Sequence, residues 1–108
     1  MTIANQIIIQ AKEGTEKVLK ETLNTLVEEA LLEKGCQKFE LYQLYDEQRR
    51  FFIVEIWKSE RRYDEHLKSA QYQSRLQEIS RLSLSQTTHP LKLTQCLTKL
   101  GLKNKEKN

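Results

Sequence analysis

Proline and glycine are scarce in this chain, with one proline and three glycines among 108 residues. Collagen-like chains and flexible linkers need far more of both residues, so these classes are excluded. Hydrophobic residues make up 38% of the sequence, which is enough to build one buried core. The composition therefore predicts a single domain that is rich in helices and strands.

Cysteine is nearly as rare. Cys36 and Cys96 lie far apart and form no CxxC motif, so neither a disulfide framework nor a zinc ribbon is predicted. The two histidines, His66 and His89, give no recognised metal-ligand spacing with these cysteines. We expect reduced thiols and no metal site.

Long apolar runs are also missing. No segment approaches the roughly 18 apolar residues of a membrane span, and the N-terminus lacks the charged region and cleavage site of a signal peptide. We therefore expect a cytoplasmic protein with no membrane partner.

Most of the formal net charge of +3 comes from the C-terminus, which predicts a domain over residues 1–98 and a basic, disordered tail over 99–108. Because the body is nearly neutral, nucleic acid is not an expected partner.

The hydrophobic period changes along the chain in an informative order. Leucines spaced three and four apart predict a helix with Thr15 as its N-cap and Gly35 just beyond its end. A second helix begins after Ser59 and is weak near Ser69. In chain order, the predicted elements are a strand over 2–12, a helix over 15–34, strands over 36–46 and 49–57, a helix in two parts over 60–82, a loop over 83–90 and a last strand over 91–97.

This βαββαβ order predicts an α+β, ferredoxin-like fold, in which an antiparallel sheet carries both helices on one face. The segment RRFFIVEIW, residues 49–57, is apolar on both sides: Phe51 and Trp57 point one way, while Phe52 and Val54 point the other. The helices cover only one of these sides, and soluble monomers seldom expose a contiguous apolar patch. We therefore predict a homodimer in which the second sides pack together.

Two stretches carry a family resemblance: EGTEKVLKETLNTLVEEALLEKGCQKFELYQ and FFIVEIWKSERRYDEHLKSAQY. They contain a helix followed by Gly-Cys, a strand that ends in Glu-x-Trp, and a helix with an aromatic residue and then His-Leu. Over residues 3–97 the chain resembles the antibiotic biosynthesis monooxygenase (ABM) family, and especially its small quinol-monooxygenase-like members. The resemblance implies a dimeric α/β barrel of two ferredoxin-like subunits, each with a pocket between sheet and helices.

For function, the resemblance implies oxidation of a small phenolic or hydroquinone-type compound by O2, with no bound metal, flavin or haem. Such a site needs a base or hydrogen-bonding group that makes the substrate anionic, and apolar walls that keep reactive intermediates from water. The expected partners are a second copy of the chain, a small aromatic substrate and O2. No cofactor is expected.

The resemblance also implies the site residues. Trp57 and Tyr63 keep the spacing with which polyketide-oxidising members hold an aromatic substrate, and His66 lies one turn beyond Tyr63 on the same helix face. A histidine there can take a phenolic proton near neutral pH. Glu55 matches the strand Glu of the family and is expected to orient His66 or a substrate hydroxyl. The full expected set is His66, Trp57 and Tyr63 as catalytic residues, with Glu55, Phe39 and Tyr72 as substrate-binding residues.

The sequence departs from the family pattern at several positions. Ile53 stands where polyketide-oxidising members carry an Asn, and Gln71 replaces the second His of the common SPHF stretch. The haem-degrading branch relies on an Asn, a Trp and a His, and the corresponding positions here are Ile7, His66 and Leu76. Haem cleavage is therefore not expected.

Other interpretations stay open. Trp57 and Tyr63 are also typical core residues, and Glu55 is also typical of a hydrogen-bonded structural carboxylate. If these residues have only structural roles, the domain is a non-catalytic or isomerase-like relative that binds a small molecule. RNA-binding RRM domains share the βαββαβ order, and RRFFIVEI aligns with part of their strand signature. However, Ile53 and Ile56 replace the aromatic residues that would stack on RNA bases, so RNA binding ranks lower.

Overall fold

The computed structural model describes residues 1–95, in which the elements follow the order β-α-β-β-α-α-β. They are β1 (Ile3–Ala11), α1 (Glu16–Leu31), β2 (Cys36–Gln43), β3 (Arg50–Trp57), α2 (Glu60–Lys68), α3 (Ala70–Leu82) and β4 (Ser83–Leu91). The four strands form an antiparallel sheet in the order β2-β3-β1-β4. The predicted α+β, ferredoxin-like fold is confirmed. The predicted domain end at residue 98 and the tail over 99–108 lie outside the described residues.

The core forms between the helices and one face of the sheet because each element presents its apolar residues at its own period. α1 buries Leu19, Leu23 and Leu26 at spacings of four and three. β3 buries every second residue from Phe51 to Trp57. Within residues 1–95, none of the helices combines the length and the apolar character needed to cross a membrane.

α1 ends earlier than predicted. The helix was expected to reach Lys34, but its last residue is Leu31, and the N–H of Leu32 closes the final turn onto the carbonyl of Glu29 at 3.2 Å. Gly35 does have a positive φ of +89°, yet it lies too far along to cap α1. An ideal Cβ on Gly35 would lie 2.5 Å from the Cβ of Arg62, so this glycine is needed where the chain passes close to α2.

The predicted weak point near Ser69 is confirmed as a break between α2 and α3. The Ser69 hydroxyl accepts a hydrogen bond from the N–H of Tyr72 at 3.1 Å and donates one to the carbonyl of His66 at 3.0 Å. One side chain thus joins the last turn of α2 to the first turn of α3.

The last strand was placed wrongly. Residues 83–90, predicted as a loop, form most of β4, whereas residues 92–95 of the predicted strand have no regular structure and residues 96–97 lie outside the described part. Among the described strands, β4 pairs only with β1, and it is mostly exposed, so this pairing does not require it to be apolar. Its Ser, Gln and Thr residues therefore give it the composition of a loop. Pro90 is tolerated because an edge strand does not need every N–H.

On the other face of the sheet, no helix from residues 1–95 packs. We call this surface the outer face and define it by Ile8, Tyr42, Phe52, Val54 and Ile56. Ile8 and Tyr42 are both in register with Phe52, so three neighbouring strands contribute to one row. In this single chain, Phe52, Val54 and Ile56 are half-buried and Tyr42 is exposed.

Candidate active site

A cavity of about 260 Å³ lies between the sheet and helices α1 and α3. Most of its wall is apolar, and the apolar side chains are Ile7, Ile9, Leu26, Phe39, Ile53, Leu76 and Ile79. Glu55 and Tyr72 bring a carboxylate and a phenol to this wall, and Gln86 and Thr88 of β4 add an amide and a hydroxyl. An apolar wall with a small number of converging polar groups is typical of a small-molecule site.

Glu55 is the charged group of this wall, and its side chain is fixed at both oxygens. It is 2% exposed, its Oε1 accepts the indole N–H of Trp57 at 2.8 Å, and its Oε2 accepts the amide N–H of Asn5 at 3.1 Å. Trp57 is two residues further along β3, and Asn5 is opposite Glu55 in the register of β1. The pairing of two strands therefore builds the hydrogen-bonded carboxylate.

Beside the cavity, aromatic rings form a packed layer around the buried His66 ring. The His66 ring centre lies 4.2 Å from that of Tyr72 and 4.4 Å from that of Trp57. Tyr63 and Phe39 lie further out, with centre-to-centre distances of 6.5 Å and 6.3 Å. This layer closes the site on the side of α2.

The Nδ1 atom of His66 pairs with a residue from the chain between α1 and β2. It lies 2.7 Å from Oε2 of Glu33, whose side chain is partly exposed. Glu33 reaches this position because α1 has already ended and the chain turns there, with the N–H of Cys36 bonded to the Glu33 carbonyl. In the described residues His66 is bonded to Glu33, while Glu55 accepts from Asn5 and Trp57, so of the two expected partners of Glu55 the substrate hydroxyl stays a prediction.

Three ionisable groups near Glu55 have raised pKa values: Tyr72, Tyr63 and Cys36. Burial, together with the nearby Glu55 charge and then Tyr63, raises the pKa of Tyr72 to about 12. Burial and then the Glu55 charge also raise the pKa of Tyr63. Burial raises the pKa of the Cys36 thiol, with smaller contributions from Glu33 and Glu55. These three groups therefore stay in their neutral forms near neutral pH.

The structure divides the expected site residues into two groups. Glu55, Phe39 and Tyr72, the expected substrate-binding residues, all line the cavity. His66, Trp57 and Tyr63, the expected catalytic residues, pack together beside the wall in the aromatic layer. The Trp57 indole N–H, expected to hold a substrate, is already bonded to Glu55.

Asn5 and Glu33 were missed by the sequence reasoning. Asn5 alternates with Ile7 and Ile9 in β1, so the strand period places its side chain on the same face as theirs. That polar position in an apolar alternation was the available signal. Glu33 gave no signal, because the helix was expected to continue past it.

Two further observations bear on the chemistry of the site. Gln71, at the family's second His position, is exposed and bonds to Glu29 at 2.7 Å. Among the residues that the structure describes, no group of three or more His, Cys, Asp and Glu side chains is placed to hold a metal ion.

A ferredoxin-like sheet with an apolar cavity under its helices defines a small α+β domain. Residues 2–76 match the sequence model of the antibiotic biosynthesis monooxygenase (ABM) family. Because this match covers well over half of the chain, the protein belongs to the ABM family. Among curated proteins, none matches this chain significantly.

Solved structures show the same fold. Protein SO0527 from Shewanella oneidensis is 27% identical with a TM-score of 0.78, and the alignment covers 83% of this chain and 88% of that one. Rv0793 from Mycobacterium tuberculosis is 18% identical with a TM-score of 0.82, over 91% of this chain and 100% of that one. SnoaB, a cofactor-independent oxygenase from Streptomyces nogalater, is 10% identical with a TM-score of 0.82, over 91% of this chain and 98% of that one.

Proposed function

We propose that this chain is a cofactor-independent monooxygenase that oxidises a small phenolic or hydroquinone-type compound with O2. The observation that carries the proposal is the apolar cavity with Glu55 and Tyr72 on its wall. Apolar walls exclude water from reactive oxygen intermediates, and the two polar side chains provide hydrogen bonds to a substrate hydroxyl. SnoaB, a structural neighbour, is an oxygenase that works without a cofactor.

The size of the cavity favours a small substrate. Its volume of about 260 Å³ lies just below the range of about 300–1,000 Å³ that is usual for small-molecule pockets. A compound with a single aromatic ring fits this space better than a polycyclic one. The proposed substrate is therefore a one-ring phenol or hydroquinone that binds with its ring among the apolar side chains.

The expected site residues take the following proposed roles. Glu55 and Tyr72 contact the substrate hydroxyl, and Phe39 contacts the ring. Trp57 fixes Glu55 through its indole N–H. His66 is a candidate for accepting the phenolic proton, as the family resemblance implies, and Tyr63 packs beside it at the end of the site.

Oxygen consumption tests the proposal. We expect the purified protein to consume O2 and to form quinone absorbance with at least one member of a panel of one-ring hydroquinones. Leu76→Trp places an indole in the cavity and should lower turnover at least about tenfold, because the substrate loses its space. Leu32→Trp, at a position 87% exposed, is the matched control and should keep wild-type turnover.

The same cavity supports a second candidate function, a non-catalytic or isomerase-like domain that binds a small molecule. Binding without any O2 consumption across the panel would favour this alternative. Saturable binding is measured without oxygen by the change in Trp57 fluorescence, since Trp57 is the only tryptophan and lies beside the site.

We also propose that two copies of the chain associate through the outer face. This face contains contiguous apolar side chains on neighbouring strands, whereas the first face is covered by the helices. Burial of apolar area is the main driving force of such association. The cavity lies on the opposite side of the sheet, so each subunit keeps its own site.

A further inference from the structure

The carboxylate of Glu55 still has lone pairs that can accept a hydrogen bond. An ionised carboxylate offers about four lone-pair positions, and Trp57 and Asn5 occupy one on each oxygen. Both partners donate N–H groups, so they hold the carboxylate in one orientation without neutralising its charge. The side chain lines the cavity, where a substrate hydroxyl would be within reach.

The burial of this charge is costly for the fold. Glu55 is 2% exposed, and among the described residues no lysine or arginine forms an ion pair with it. Burying a carboxylate without a cation is unfavourable unless hydrogen-bond donors compensate, and here both donors are neutral N–H groups. Glu55 is a charged side chain on a wall that is mostly apolar, so use of the carboxylate in the site explains its position.

We infer that Glu55 is the catalytic residue that accepts the phenolic proton while the substrate gives its first electron to O2. The inference rests on the proposed function above. In this step the O–H bond of the phenol breaks, and a new O–H bond forms on the carboxylate. The phenol loses one electron and one proton and becomes a phenoxyl radical, O2 gains the electron and becomes superoxide, and Glu55 becomes a neutral carboxylic acid.

The coupling of the two transfers explains why a carboxylate is sufficient. A carboxylate is a far weaker base than a phenolate, by about six pKa units on the scale of ordinary Glu and Tyr side chains, so it cannot deprotonate a resting phenol efficiently. A phenol that is losing an electron becomes strongly acidic. The carboxylate therefore takes the proton only as the electron leaves, when the transition state develops positive charge on the ring.

The other titratable groups around Glu55 are less suited to this step. Tyr63 of α2 and Tyr72 of α3 have raised pKa values and stay neutral, as does Cys36 of β2. His66 packs against Trp57 and pairs through Nδ1 with Glu33, on the side that leads to the surface. His66 is the competing acceptor and is tested by its own variant.

The first experiment compares Glu55→Gln with His66→Gln, using methylhydroquinone as the probe. Gln keeps the size of Glu55 and an oxygen for the Trp57 N–H, but it cannot accept a proton. We expect turnover of Glu55→Gln to fall at least about 100-fold, while the dissociation constant of methylhydroquinone, measured without oxygen, stays within about threefold of wild type. Glu28→Gln makes the same change at an exposed position of α1 and is the matched control. A large loss in His66→Gln together with full turnover in Glu55→Gln overturns the inference.

The second experiment needs only the wild-type protein, so it decides the question even if Glu55→Gln does not fold. If Glu55 accepts the proton during electron transfer, the neutral hydroquinone is the reacting form. kcat/KM, corrected for oxidation without protein, should then stay level from about pH 6 to about pH 8. A tenfold rise per pH unit would show that a preformed phenolate reacts, and it would overturn the inference. Absence of any wild-type turnover would instead overturn the proposed function, so the two failures are distinguishable.

Discussion

At the scale of single residues, the ionisation of Tyr72 in the site should make the stability of the fold depend on pH. Its pKa of about 12 exceeds the ordinary value of 10, chiefly because of burial and then because of the Glu55 charge. The unfolded chain loses the Tyr72 proton first, so the contribution of Tyr72 to stability is complete below about pH 10 and is lost as the pH rises towards 12. Between these values the unfolding free energy should fall by roughly 2 kcal/mol through this group.

The measurement is urea unfolding of wild type and Tyr72→Phe at several pH values from about 9 to about 12. The phenylalanine variant lacks the ionising hydroxyl, so its stability should fall less steeply across this range. Tyr45→Phe removes a phenol from an exposed position and is the matched control. Parallel stability curves for wild type and Tyr72→Phe would contradict the prediction.

At the scale of elements, the connection between α1 and β2 depends on Gly35. Gly35→Ala adds strain at a φ of +89° and places a Cβ 2.5 Å from Arg62 in α2. Gly14→Ala is an unusually close control, because Gly14 has a φ of +83° and nothing within 4 Å of its added Cβ. The alanine at 14 should cost about 1–2 kcal/mol from backbone strain alone. The alanine at 35 should cost about 1–3 kcal/mol more, because α2 must move. Equal losses in the unfolding free energy would contradict this account.

The helices could be predicted from the sequence, whereas strand β4 could not. Helix α1 was predictable because leucines at spacings of three and four share one face of a helix. The break in the second helix was predictable because the Ser69 hydroxyl can cap the N-terminus of α3. β4 was not predictable from its composition, since pairing with β1 alone does not require apolar side chains.

In the candidate site, the residues themselves could be predicted from the sequence, but their hydrogen-bond partners could not. Its aromatic residues and Glu55 could be found from the family motif. The pairing of Glu55 with Asn5 depends on strand register, and the pairing of His66 with Glu33 depends on where α1 ends. Neither the strand register nor the exact helix end is encoded in a local sequence pattern, so these hydrogen-bond partners could not be predicted.

At the scale of the whole molecule, the proposed dimer depends on the outer face. Its apolar side chains run from Tyr42 on β2 through β3 to Ile8 on β1, and a second copy would remove them from water. Lys38 and Glu40 on the same side of β2 form an ion pair with each other at 3.5 Å, so this edge is close to neutral. A nearly neutral surface suits another protein surface better than the phosphates of RNA.

The dimer is tested with a charge placed in the centre of that face. Val54→Glu would bury unpaired carboxylates between two sheets, so we expect light scattering to show the single-chain mass of 12.8 kDa, where wild type shows twice that mass. Val18→Glu makes the identical change on α1, at a side chain that is 50% exposed, and should leave the dimer intact. A wild-type protein that stays a single chain at high concentration would contradict the proposed association. If that single chain also bound RNA at moderate salt, the aromatic side chains of Tyr42 and Phe52 would be better explained as a base-stacking surface.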